Sequence, residues 1–426
     1  MKVSAVCVLV LLFAASANAQ QTGTFQVPEI ADLKRVDRNN RPNREHGQSA
    51  FILKTQPHQV DGSTYVILTD HSEKEFLAPI GRLASNYDAE ILTVKDLATL
   101  HEDPKALAQL RDSLRVLQVR YLAIAPRLES FRENTILGVW ELATTLDDDP
   151  QIDCYPGFLV ASDAEAFSRL IEQSIIYKPV AEEDLKPFAI NQVQKSHETR
   201  SLQKSAMLRK YFQQADIETP IVAIYGRRAT EAPRLEGDKV WNLTVDRKEF
   251  VKEFPDGADA ELAESNLIVM HGHGVPGMSC SLDVDGIPSD FSGKIVLSGS
   301  CFSASPAESD LPKMREAPGG YDVEARDAFV IRAIDNGAVV AFGHQRLSSG
   351  FPHLFPVLEH FLEGQSVGEA YQQLMNGLIE LRNTKSGDFV ISEEGKANKR
   401  VPQNRFLYVL IGDPALRPLQ PQPLLK

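Results

Sequence analysis

After its first twenty residues the chain has no long apolar run, so nothing downstream reads as a membrane span, which needs ~20 consecutive apolar residues. Positive charge is in the minority: 45 Lys and Arg stand against 58 Asp and Glu, a formal net charge of -13. No basic run interrupts that balance. A polyphosphate or an anionic membrane surface needs a basic face, so nucleic acid and membrane surfaces are excluded as expected partners. Neither HExxH nor a paired CxxC occurs, which removes the commonest zinc signatures. Low-complexity tracts and short-period repeats are also missing. Cysteine is scarce, and since Cys7 lies in the opening segment, Cys154, Cys280 and Cys301 remain. In an exported protein that odd number leaves at least one thiol unpaired, even if Cys154 and Cys280 form a disulfide.

Export is what the opening residues predict. In MKVSAVCVLVLLFAASANAQ one Lys precedes an apolar run from Val6 to Phe13, and Ala17 and Ala19 flank Asn18. This is a secretory signal over residues 1–19, and the mature protein is expected to be secreted or periplasmic. Residues 20–60, rich in Asn, Gln, Arg and Pro, read as a leader or pro-segment. With 43% hydrophobic and 24% charged residues, the remainder is ordinary globular material.

From Thr64 onward, short β-rich apolar runs alternate with amphipathic stretches, the pattern of parallel strands with helical crossovers. Strands are expected at TYVIL, EILTV, YLAIA and FLVAS, with helices over Phe76 to Ala84 and Leu107 to Leu117. Ser162 with Glu165 predicts a capping box opening a helix to about Tyr177. The charged, proline-bearing stretch KPVAEEDLKPF, Lys178 to Phe188, reads as a linker. A second series follows: a helix near Ser201 to Gln214, then strands PIVAIY, NLIVM, KIVLS, AVVAF and FLYVLI. Asn336-Gly337 signals a helix end, Ser366 with Glu369 another helix start, and Asp413 in IGDP a turn cap. The fold class is α/β, as two tandem subdomains with mostly parallel sheets, residues 61–180 and 181–426.

Two strands of the second series end in chemically loaded turns. NLIVM runs into His271-Gly272-His273-Gly274, and KIVLS into Gly299-Ser300-Cys301. Reactive groups gather at such carboxyl ends in parallel sheets. Gly272, Gly274 and Gly277 fit GxGxxG, but the nucleotide fingerprint needs a helix at the third Gly, and MSCSLDVDGIPSDF has no helical period. A metal site would use His271 and His273, with Cys280 or Cys301 as further ligands, while Asp283 and Asp285 are the residues for a structural calcium loop or else a solvated turn. The remaining reading is nucleophilic catalysis. A thiol needs a neighbouring imidazole to become thiolate, and the oxyanion needs N–H donors. Cys301 is the candidate nucleophile, His273 or His271 the base, and the N–H groups of Gly274 and Cys301 the oxyanion hole.

IVMHGHG followed by IVLSGSCF resembles the His/Cys dyad of the caspase-like peptidase clan, and within it the gingipain-type cysteine peptidases. GAVVAFGHQR, the end YVLIGDPALRP and the segment from LDDDPQIDC to SIIYKP extend the resemblance over about Ser63 to Pro418. It implies a caspase-like α/β sandwich with its active site in the second subdomain, and a secreted cysteine endopeptidase acting on protein or peptide substrates. By resemblance His273, second in GHG, is the base, Cys301 the nucleophile, and His271 the rival base. No cofactor is required, though calcium fits as a structural ion. His344 and Glu198 are candidate substrate-binding residues. The turn continues through VPGMS, where the family runs from Ser to a Trp, and this motivates an alternative: a non-catalytic binding or scaffold module. A metallohydrolase using His271 and His273 is the third reading.

Overall fold

The structure is a computed structural model. It describes residues 60–149, 151–193, 217–225, 240–244, 258–275, 277–280, 282–305, 328–346, 351–385 and 407–421, with a few helical positions between 205 and 213. The signal, nearly all of the leader, most of the helix expected over Ser201 to Gln214, and Glu198 lie outside these residues.

The first series folds as β1 (Thr64–Thr69), α1 (Lys74–Tyr87), β2 (Glu90–Thr93), α2 (Pro104–Leu117), β3 (Val119–Ala125), α3 (Glu133–Ala143), β4 (Tyr155–Phe158) and α4 (Ala164–Ile176). The second runs β5 (Pro187–Val193), β6 (Ile221–Tyr225), β7 (Val240–Thr244), α5 (Ala258–Glu264) and β8 (Leu267–His271). Three very short strands follow, β9 (Gly274–Val275), β10 (Met278–Ser279) and β11 (Leu282–Asp283), and then β12 (Ile295–Ser298), α6 (Phe329–Asp335), β13 (Val340–His344), α7 (Phe351–Leu362), α8 (Val367–Lys385) and β14 (Tyr408–Ile411).

Eleven of the described strands form one sheet in the order β2-β1-β3-β4-β14-β13-β12-β8-β5-β6-β7. Every pairing is parallel except β13 with β14. The two series therefore run in opposite directions within one sheet. The last strand joins them, with Ile411 opposite Phe158 on one side and Ala341 on the other. This is a mixed α/β fold with a mostly parallel sheet. Strands β8, β12, β13 and β14 are buried along their whole length, which is why they read as unbroken apolar runs rather than alternating ones. Burying each of Leu267, Ile268, Val269 and Met270 contributes roughly 1.5–3 kcal/mol. Edge strand β2 keeps three of its four residues exposed.

Several helix starts follow the local rules. Ser366 and Glu369 cap α8 reciprocally, Glu369 N–H to Ser366 Oγ at 3.2 Å and Ser366 N–H to Glu369 Oε2 at 2.7 Å. Gly337, after α6, takes φ +106, as a helix-ending glycine does. The cap of α4 differs from the expectation: Asp163 accepts from Ala166 N–H at 2.9 Å, while Ser162 donates its own N–H to Asp335. Strand β4 comes just before most of FLVAS, and β5 opens inside the stretch expected to be a linker.

The helix α3 carries a carboxylate that makes stability depend on pH. Burial pushes the Glu141 carboxyl on α3 up to about 7. Its contribution is fully present below its unfolded value of about 4.3 and is lost as pH rises through about 7. Glu141→Gln, which removes this titration, is expected to melt higher than wild type at pH 8. That gain should shrink at about pH 4.5. Equal shifts in thermal melts at both pH values would contradict this origin.

Candidate active site

The carboxyl ends of β8 and β12 are adjacent, with Met270 opposite Ser298, and Gly299 N–H prolongs the ladder to Met270 O at 2.8 Å. Past this point both chains leave the sheet, one as Gly272-His273-Gly274 and the other as Ser300-Cys301. The first continues into a three-stranded ribbon in the order β11-β10-β9. No helix opens at Gly277, which lies in a turn with φ +77, so the phosphate-loop fingerprint is not completed.

The two turns meet at Gly274. A Cβ there would fall inside contact distance of the Cys301 carbonyl oxygen and 2.7 Å from Ser300 Cβ. Only a glycine permits this approach. Beneath it lies a buried hydroxyl cluster: Ser279 Oγ is 2.8 Å from Ser298 Oγ and donates to Ser300 Oγ at 2.9 Å, and Cys280 Sγ lies 3.4 Å from Ser300 Oγ. These contacts tie the ribbon to the turn that carries Cys301. Beyond Cys301 the chain is stapled to the end of β13. Phe302, at φ +56, donates its N–H to Arg346 O at 2.8 Å, and Ser303 Oγ accepts from His344 N–H at 3.2 Å.

The two histidines have different surroundings. His271, the last residue of β8, is buried, and its Nδ1 lies 2.9 Å from Asn191 Oδ1. The Asn191 amide nitrogen in turn donates to Ser205 Oγ, so the ring sits at the end of a buried side-chain chain. His273 is exposed. Its backbone is held on both sides: N–H to Gln192 Oε1 at 2.6 Å, and C=O from Cys280 N–H at 2.9 Å. None of the three cysteines is in a disulfide. Cys154 and Cys280 are fully buried, and burial raises both thiols, Cys280 to about 12. Cys301 alone of the three is partly exposed.

His344 is fully buried. Its Nδ1 accepts from Arg346 N–H at 2.9 Å and its ring stands edge-on to Tyr408 at 4.3 Å, so it supports the loop end from below. The Arg346 guanidinium pairs with the Glu133 carboxylate at the start of α3. Among the described residues, the group of carboxylates close enough to share a cation is Asp147, Asp149 and Asp153, whose oxygens lie within 4.8 Å of one another; it includes neither His271 nor His273. Asp283 Oδ1 accepts Asp285 N–H at 3.1 Å as a turn cap. Asn191, Gln192, Ser279 and Ser300 are site neighbours that the sequence pattern did not single out.

No protein-family model matches the sequence, and no curated protein matches it either. Solved structures do. Gingipain R, an Arg-specific cysteine proteinase, superposes with a TM-score of 0.53 at 11% identity, over 85% of this chain and 80% of its own. A second structure, of a protease, gives 0.51 at 13% identity, over 84% of this chain and 79% of its own. The likeness is one of fold: the chain has the gingipain-type, caspase-like peptidase fold. No helix among the described residues is long and apolar enough to cross a membrane.

Proposed function

We propose that the chain is an exported cysteine endopeptidase in which His273 and Cys301 form the catalytic dyad. The observation that carries the reading is the seating of Gly274 on the Cys301 backbone, which joins the GHG and GSC turns at the carboxyl ends of neighbouring strands. The fold shared with two peptidases supports the reaction class.

In the proposed reaction His273 takes the Cys301 proton and the thiolate attacks the scissile carbonyl carbon. The carbonyl π pair moves to oxygen, and the N–H groups of Gly274 and Cys301 stabilise that oxyanion. Collapse breaks the C–N bond, the imidazolium protonates the leaving amine, and a thioester remains on Cys301. Water, deprotonated by His273, then releases the acid and regenerates the thiol. No cofactor enters these steps. His273 is preferred to His271 as base because it is exposed and immediately precedes Gly274, whose backbone meets the Cys301 turn, whereas His271 is buried against Asn191. The opening segment supports export.

Labelling by peptidyl acyloxymethyl ketones, across a panel of residues before the scissile position and with calcium present, tests the proposal. Mass spectrometry is expected to find the adduct on Cys301, and His273→Ala to slow labelling by about tenfold or more. A Cys301 that takes up no probe, or one labelled equally fast in His273→Ala, would leave a non-catalytic module of the same fold.

A further inference from the structure

We infer that Gln192 is a positioning residue for this reaction: its side-chain oxygen holds the main chain of His273 and so directs the imidazole towards Cys301. The inference rests on the reading of His273 as the base. Strand β5 lies beside β8 with Asn191 opposite His271, so Gln192, one residue further along, stands next to Gly272. At this point the chain leaves the β8 ladder, and the His273 N–H passes to a side chain, Gln192 Oε1, at 2.6 Å. Gly272 makes room for that side chain: a Cβ there would lie 2.5 Å from Gln192 Cβ and 2.9 Å from its Oε1. From the other side Cys280 N–H holds the His273 carbonyl at 2.9 Å. The main chain of exposed His273 is thus held at both of its polar groups. Cys280 also contacts Ser300, the residue before Cys301, so the same frame reaches the nucleophile. Asn191 serves the buried His271 instead, which separates the two neighbouring amides by role.

The test follows iodoacetamide alkylation of Cys301 against pH in the full-length protein, read by mass spectrometry at that residue, with kcat and KM on a cleaved peptide. Gln192→Leu removes the acceptor, and Gln192→Asn draws it back by one carbon. Both are expected to slow alkylation at about pH 6 by about ten- to a hundredfold and to lower kcat more than KM changes, with thermal melts close to wild type. Gln192→Glu keeps an acceptor oxygen and is expected to restore the rate to within about threefold, while its negative charge moves the acid limb of the profile to higher pH. Wild-type rates in both the Leu and Asn variants, with His273→Ala impaired, would overturn the role of Gln192. Equal loss in all three variants would overturn it too, because the acceptor would then not be the reason. If the Leu variant does not fold, the Asn and Glu variants decide. Should His273→Ala leave Cys301 reactivity unchanged, the dyad itself fails and this inference goes with it.

Discussion

Gly274→Ala is expected to lose at least about a hundredfold in kcat on any peptide the wild-type chain cleaves, with its circular dichroism unchanged. The added methyl would meet the Cys301 carbonyl oxygen well inside contact distance, Ser300 Cβ at 2.7 Å and Cys301 C at 3.2 Å. None of these is the far end of a flexible side chain. Ser300 is held by the Ser279 hydroxyl and the Cys280 thiol, its carbonyl accepts from Ser303 Oγ at 3.1 Å, and Phe302 is bonded to Arg346. The conflict therefore resolves by one whole turn backing away from the other by about 1 Å, a displacement that costs roughly a hundredfold when it separates reacting groups. Losing the Gly274 N–H in its proposed role as oxyanion donor would add up to about 10²–10³. Gly272→Ala is the informative comparison, because its added methyl would meet Gln192 Cβ at 2.5 Å and Cys280 Sγ at 3.1 Å, and so disturbs the seating of β5 against this turn rather than the Cys301 backbone. Steady-state kinetics on both variants checks the difference. A Gly274→Ala enzyme within about threefold of wild type would mean that the two turns do not act as one catalytic unit.

Much of this arrangement could be read from the sequence, because β8 and β12 are buried along their whole length and announce themselves as apolar runs ending at GHG and GSC. What the sequence hid is long-range or locally disguised. Strand β5, which supplies both Asn191 and Gln192, begins at Pro187 within a charged stretch. A proline is tolerated at a first strand position because no ladder donor is needed there, yet the local pattern points to a linker. Strand β4 contains Pro156 and Gly157, which argue against a strand on propensity alone. Gly157 is required because a Cβ would lie 2.7 Å from Gly412 O, across the sheet from a segment far along the chain. For the same reason two series of elements that read as tandem units share a single sheet: the pairing of β14 with β4 joins residues that no local window contains. At the α4 start, Ser162 and Asp163 are both acceptable caps by type, and the bond from Ser162 N–H to Asp335 leaves the helix to Asp163. His344 ends an apolar strand as a pocket residue would, and its buried ring stands edge-on to Tyr408, a contact set by the antiparallel β13–β14 register.

That shared strand makes Asp413, just past the end of β14, the site of the largest expected stability effect. Its carboxylate accepts Tyr65 OH at 2.8 Å, Tyr87 OH at 2.8 Å and Ala415 N–H at 2.9 Å, and is fully buried. Tyr65 belongs to β1 and Tyr87 ends α1, with their rings stacked at 4.5 Å, so one side chain locks the joining strand to the first series. Asp413→Ala leaves these donors without their acceptor. At about 1–3 kcal/mol for each buried group stranded, the loss is expected to reach roughly 3–5 kcal/mol, a large share of the ~5–15 kcal/mol that holds a typical fold. Asp413→Asn keeps one acceptor oxygen and should lose less. Desolvation by burial raises the Asp413 carboxyl above its usual range, against the lowering effect of the Ala415 amide and the two tyrosine hydroxyls. A raised folded value means that the contribution is full below the unfolded value of about 3.9 and declines as pH rises through the folded one. Because asparagine does not titrate, the deficit of Asp413→Asn relative to wild type is expected to be larger near pH 4.5 than near pH 8. Urea unfolding of the wild type and both variants at the two pH values measures this. An alanine variant within about 1 kcal/mol of wild type would show that the two tyrosines find other partners and that β14 is held to the first series by packing alone.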